Sequence, residues 1–163
     1  MTNSKMIENA RANADILAGY QWLATLDSHT CLKCAIRDGL RYTLEFEPIG
    51  HSLAWGRGPG KIHRNCRCTF TFVLKSAEQM RLNGLKPGMR ASMNGQVPAD
   101  TTYTEWLKGQ PASVQDDVLG VIRGRLYRKG QLPIDRFVDN RGQLINLQAL
   151  REQDSEAFVL AGL

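Results

Sequence analysis

The sequence predicts an α+β fold: a small antiparallel sheet packed on an N-terminal helix and followed by a mainly helical C-terminal region. Three observations predict it. Apolar residues alternate with polar ones in residues 20–26 and again in 67–74, the two-residue period of half-buried strands. They recur at three- and four-residue spacing in residues 4–20 and 113–129, the period of amphipathic helices. Residues 27–68 hold all four cysteines and all three histidines of the 163-residue chain, the cysteines and His63 grouped as Cys31-x-x-Cys34 and His63-Arg64-Asn65-Cys66-Arg67-Cys68.

The first helix carries Met6, Ile7, Ala10, Ala14, Leu17 and Tyr20 on one stripe, with Asn3 or Ser4 placed to cap it. At Tyr20 the period changes to two, so that Tyr20, Trp22, Ala24 and Leu26 share one face of a strand that ends at Asp27. Residues 27–30 read as a turn in which the Asp27 carboxylate accepts backbone N–H groups and shapes the loop presenting Cys31 and Cys34. Asp38-Gly39 is a second turn signal, after which residues 40–44 form a strand returning along the first. Residues 45–60, with two prolines, four glycines and little periodicity, read as a loop carrying His51 and Trp55. The strand at 67–74 alternates Cys68, Phe70 and Phe72 with Arg67, Thr69 and Thr71.

Two ligand clusters joined by a loop suit one tetrahedral zinc, each supplying two donors while the intervening chain closes around the metal. The predicted sheet thus carries a zinc knuckle. Five residues compete for four positions: Cys31, Cys34, His63, Cys66 and Cys68. Four thiolates are favoured if the strand has begun at Cys66, and His63 with one of the pair if Cys66 is still in the turn. More soft donors than places argues for a closed, structural site rather than one that keeps a position open for water. His51 is a spare ligand, a phosphate contact or simply an exposed loop residue.

In the second half, Thr102 and Glu105 have capping-box spacing, as do Ser76 and Gln79, so helices are expected from about Tyr103 and Ala77. Residues 84–100 are rich in Gly, Pro and Asn and read as a linker or long loop. The helix over 113–129 places Val114, Val118, Leu119, Ile122 and Leu126 on one face, and its basic C-terminal end suits the helix dipole. Residues 132–138 read as a short docking segment, 139–142 as a turn, and Asn146 as the cap of a last helix. Residues 155–163 are expected to be loose or to dock a neighbour through Phe158, Val159 and Leu160. The expected division is a zinc-binding domain over 1–75 and a helical extension over 76–163.

With 42% hydrophobic residues the chain has material for a core, and no run reaches the length of a membrane span or forms the apolar stretch of a signal peptide. A reducing cytoplasm is the default location. There, clustered cysteines are metal ligands more often than disulfides. The net charge of +5 is concentrated in residues 1–75, with ten Lys and Arg against six Asp and Glu. Arg57, Lys61, Arg64 and Arg67 fall within eleven residues that hold no acid, a candidate for non-specific contact with DNA phosphates. The sequence holds no Gly-x-Ser-x-Gly elbow, no phosphate-cradling glycine loop followed by Lys-Ser/Thr and no His-Glu-x-x-His helix, which argues against an enzyme.

Trp22, Asp27, Thr30, Cys31, Cys34 and Gly39, followed by a Gly/Pro loop and then His63, Cys66, Arg67 and Cys68 running into a strand, form a pattern that resembles the head morphogenesis (Mu F-like) minor head proteins of tailed phages. The resemblance covers residues 5–75. It implies a non-enzymatic virion protein of the capsid interior, assembled in the host cytoplasm, with the portal, other capsid proteins and packaged DNA as partners and no membrane contact. Members of the family carry a longer helical region before the Trp, so the resemblance implies a short variant or a C-terminal piece. The alternative class is a zinc-supported nuclease or toxin-like effector in which His51 or His63 activates water.

Overall fold

Alternation of large apolar side chains in residues 17–23 and 69–74 builds the centre of a four-stranded antiparallel sheet. The structure, a computed structural model, describes residues 3–75 and 88–163. The strands are β1 (Leu17–Leu23), β2 (Arg41–Tyr42), β3 (Pro48–Ile49) and β4 (Thr69–Leu74), in the order β3-β2-β1-β4. Tyr20 stands opposite Tyr42 on one side and Phe72 on the other, and Trp22 stands opposite Phe70. The fold is therefore α+β, with a helix leading into the sheet and a helical C-terminal region.

The first helix, α1 (Asn3–Ala12), is shorter than its apolar spacing predicts, because Leu17 and Tyr20 belong to β1. An irregularity in the β1–β4 register between Leu17 and Gly19 explains the misreading: the extra residue buries Leu17 and Tyr20 at a spacing of three, which imitates a helical stripe. Gly19 also lets β2 approach. A Cβ built on it would lie 1.9 Å from the Tyr42 carbonyl oxygen, at a φ of +156°. Gly19→Ala is expected to destabilise the protein by about 1–3 kcal/mol through overpacking against backbone. An unchanged urea midpoint would mean that the strands part freely to admit a methyl group.

The segment over 45–60, expected as a loop, contains the two-residue strand β3 and is pinned by Trp55, whose ring packs 4.9–5.8 Å from those of Tyr20, Trp22, Tyr42 and Phe70. All five rings are buried, so the sheet has an aromatic core of its own.

The region read as a linker over 84–100 contains a hairpin instead, β5 (Met89–Ser92) with β6 (Gly95–Pro98). Its strands have four residues each and expose most of them, so no apolar alternation announces them. The hairpin leans on the sheet half through a parallel bridge between Ser92 and Leu26, and Met93 N–H donates to the Leu26 carbonyl at 2.9 Å. Helix α3 (Tyr103–Lys108) has the expected capping box, Thr102 with Glu105. The expected helix start near Ala77 lies outside the described residues.

The long helix expected over 113–129 is two helices, α4 (Ala112–Leu119) and α5 (Val121–Arg128). Gly120, at φ 79° and ψ 152°, breaks them apart, a conformation open to glycine at little cost. The docking segment holds a 3₁₀ turn over Ile134–Phe137 with both end residues buried. Asn146 caps α6 (Leu147–Gln153) as expected, its side chain accepting from Ala149 N–H at 2.8 Å. The chain end is a helix, α7 (Ser155–Ala161), whose Ala157, Phe158 and Ala161 are buried while Val159 and Leu160 face solvent. No helix among the described residues is long and apolar enough to cross a membrane.

One carboxylate ties the two halves together. Asp38, read from the sequence only as a turn residue, accepts from Ala24 N–H at 2.7 Å and Tyr103 N–H at 2.7 Å. It also pairs with Arg90 at 3.0 and 3.2 Å. Arg90 in turn donates to the carbonyls of Ala24 and Thr101. Sheet, hairpin and α3 therefore converge on a carboxylate that is almost fully buried.

Candidate metal centre

The Cys31-x-x-Cys34 segment folds as one helical turn, α2 (Leu32–Ala35), with Cys31 at its N-cap. Residues three apart on a helical turn share a face, so both thiols point the same way. The second cluster enters through a tight turn in which Cys66 N–H bonds to the His63 carbonyl and Asn65 adopts a φ of 59°. Asparagine tolerates this left-handed conformation better than most residues. The strand begins only at Thr69, so Cys66 and Cys68 both precede it.

The two clusters meet at Cys34. Its Sγ lies 3.3 Å from His63 Nε2 and 3.7 Å from Cys66 Sγ. Two groups of potential ligand atoms lie within 4.8 Å of one another, Cys31–Cys34–His63 and Cys34–Cys66–Cys68, with Cys34 common to both. All five sequence-predicted donors are thus brought together, from positions up to 37 residues apart. His63 is prepared for ligation: the Arg64 carbonyl, 2.7 Å from Nδ1, accepts a hydrogen bond from Nδ1–H, the tautomer that leaves the Nε2 lone pair toward Cys34.

Electrostatics agree with a site for a soft cation. Hydrogen bonding from the Cys34 thiol outweighs burial and lowers Cys31 to about 5 and Cys68 to about 7. Cys34 itself is pushed up, chiefly by the same contacts to Cys31 and Cys68, and holds the proton its neighbours share. Thiolates gathered in this way are the ligands that zinc and other soft ions select. The donor set and its spacing therefore fit a metal.

The surrounding frame holds the first ligand pair in place. Burial works against the Asp27 carboxylate, but Arg67 clasps it with two bonds of 2.5 and 2.8 Å, and His29 N–H and Thr30 add to the hold, so its pKa stays below the usual range. The Thr30 hydroxyl closes the turn on the Thr25 carbonyl at 2.6 Å, and Tyr103 OH donates to the Asp27 carbonyl at 2.8 Å. Asp27 is thus a shaping residue, as its place before the turn suggests. Tyr103 is a contact that no local pattern announces.

Of the basic residues proposed for DNA, Arg57, Lys61 and Arg64 are exposed and make no ion pair among the described residues. Arg67 differs. Its charge is committed to Asp27, which removes it from the free basic set. His51 stands apart from the metal groups, donating from Nε2 to the Arg41 carbonyl at 2.9 Å and packing edge-on against Tyr42. The exposed His29, by contrast, lines a cavity of about 10 Å³ at the cluster. Comparison of the chain with family models, with curated proteins and with solved structures found no match in any of the three.

Proposed function

We propose that the chain is a structural minor head protein of a tailed phage or prophage, held in shape by a structural zinc at the cysteine–histidine cluster. In this reading it sits in the capsid interior near the portal and contacts packaged DNA without sequence preference. What supports the reading is that the residues of the resemblance belong to one folded unit. Trp22 is in the aromatic core, Asp27 and Arg67 clasp each other, Thr30 closes the turn, and Cys31, Cys34, Cys68 and His63 line a space that admits about one ion, with Cys66 against Cys34. Such a space has no room for a substrate.

A second cavity, of about 430 Å³, opens beside Cys31 and His63 and is the one feature that favours an enzyme. Its other walls are Leu32, Lys33, Val118, Leu119, Gly120, Val138 and Leu144, with no carboxylate to bind a second metal or act as a base. Apolar walls suit a protein side chain better than a scissile phosphate. The exposed Arg57, Lys61 and Arg64 supply a phosphate contact that is weak and steeply salt-dependent.

Two measurements test this. Mass spectrometry of purified phage heads is expected to find the chain as a low-copy component; its absence from heads of a phage that expresses it would end the assignment. Supercoiled plasmid incubated with the protein and zinc, magnesium or manganese is expected to stay intact. Nicking that disappears in a folded His63→Ala variant would favour the nuclease.

A further inference from the structure

The C-terminal helices carry apolar side chains that the core does not use. On α7, Val159 is 77% and Leu160 55% exposed, and Val121 and Ile122 at the start of α5 are 68% and 37% exposed. At 3.6 residues per turn Glu156, Val159 and Leu160 share one outward arc of α7, opposite the buried Ala157, Phe158 and Ala161. Beside that arc lies a hollow of about 360 Å³ walled by Ile122, Leu147, Gln148, Arg151, Phe158 and Leu163. A helix face with two aliphatic knobs thus borders a hollow with room for both.

Two charges at this place lack a partner. Arg151 stacks on the Phe158 ring at 5.0 Å, and neither Arg151 nor Glu156 makes an ion pair among the described residues. No acid lines the hollow that Arg151 walls. The knob face is therefore acidic and the hollow basic, so the two complement each other in charge as well as in shape. The four exposed side chains present roughly 400 Å² of apolar area, the size of patch that marks an interaction site on a soluble protein. At the roughly 60% apolar share of an interface this corresponds to about 700 Å² per copy, close to the ~800 Å² per partner of a stable dimer.

We infer that this face is an isologous interface between two copies of the chain. A knob and a hollow that adjoin on one surface satisfy each other under a two-fold rotation, which sets the same patch on both sides. Val159 and Leu160 of each copy enter the hollow of the other, and Glu156 of each meets the other copy's Arg151. The inference goes beyond the function proposed above and does not depend on the metal.

Sedimentation velocity of the full chain over a concentration series tests it. A monomer–dimer equilibrium is expected, with Val159→Asp raising the dissociation constant at least about thirtyfold, the loss of one strong interface contact. Val159 faces solvent within one copy, so this variant is expected to keep the wild-type circular dichroism spectrum. Glu156→Arg and Arg151→Glu are each expected to weaken the dimer by setting like charges together. An equimolar mixture of those two variants is expected to restore association, because in the heterodimer both pairs are again of opposite sign. A chain that stays monomeric at every concentration, its apolar face then belonging to a different partner, would overturn the inference. So would an open-ended series of larger species, a dimer that Val159→Asp leaves unchanged, or a mixture that associates no better than either variant alone.

Discussion

Asp38→Ala is expected to cost about 3–5 kcal/mol of folding stability, the range for breaking a buried charge pair from one side. The carboxylate is 1% exposed and its partner Arg90 15%, so the alanine leaves a guanidinium with little water to replace its counter-charge. The amides of Ala24 and Tyr103 lose their acceptor at the same time. Tyr103 opens α3, so the loss also removes a negative group from a helix N-terminus. Urea denaturation measures the effect, and Asp38→Asn, which keeps one acceptor oxygen, is expected to fall between alanine and the native residue. Adding Arg90→Met to Asp38→Ala is expected to recover part of the loss, because the stranded charge goes with it. A loss below about 1 kcal/mol for Asp38→Ala would show that solvent reaches Arg90 and that the two halves are not held together at this point.

Cys34→Ser is expected to abolish metal binding, since Cys34 is the donor common to both ligand groups. With zinc about a thousandfold above its dissociation constant, the bound metal contributes about 4 kcal/mol to the folded state, and that contribution disappears in the variant. Chelation of the wild-type protein is expected to lower its melting temperature toward that of Cys34→Ser while leaving Cys34→Ser unmoved. That pairing separates loss of metal from loss of packing. Cys31→Ser is expected to behave likewise. The sheet itself should survive, because Tyr20, Trp22, Tyr42, Trp55 and Phe70 form a buried aromatic core that does not include the metal ligands. A chelator with no effect on the wild-type melting temperature would remove the structural role from the metal reading.

Local pattern carried most of the elements. The antiparallel pairing of β1 with β2, the capping box at Thr102 and the Asn146 cap were legible because each depends on residue types close in the chain, and the two clusters of potential metal ligands because each is compact by itself. The departures from pattern also have local causes: a register irregularity imitates a helix at Leu17 and Tyr20, Gly120 interrupts an apolar stripe of helical period, and a short exposed hairpin carries no apolar alternation. Residues 155–163 looked unanchored because only Ala157, Phe158 and Ala161 supply the buried face of α7, and two of these are alanines.

By itself the sequence determined the fold class, the five candidate metal donors and the turn-shaping role of Asp27, since periodicity and ligand chemistry are written in neighbouring residues. Only the tertiary structure decided the rest. It decided that Asp38 joins the sheet to Arg90 and Tyr103 and that Arg67 is committed to Asp27. These outcomes depend on which side chains meet across separations of 40 to 65 residues. Burial and charge pairing are properties of that meeting, and no local pattern encodes them.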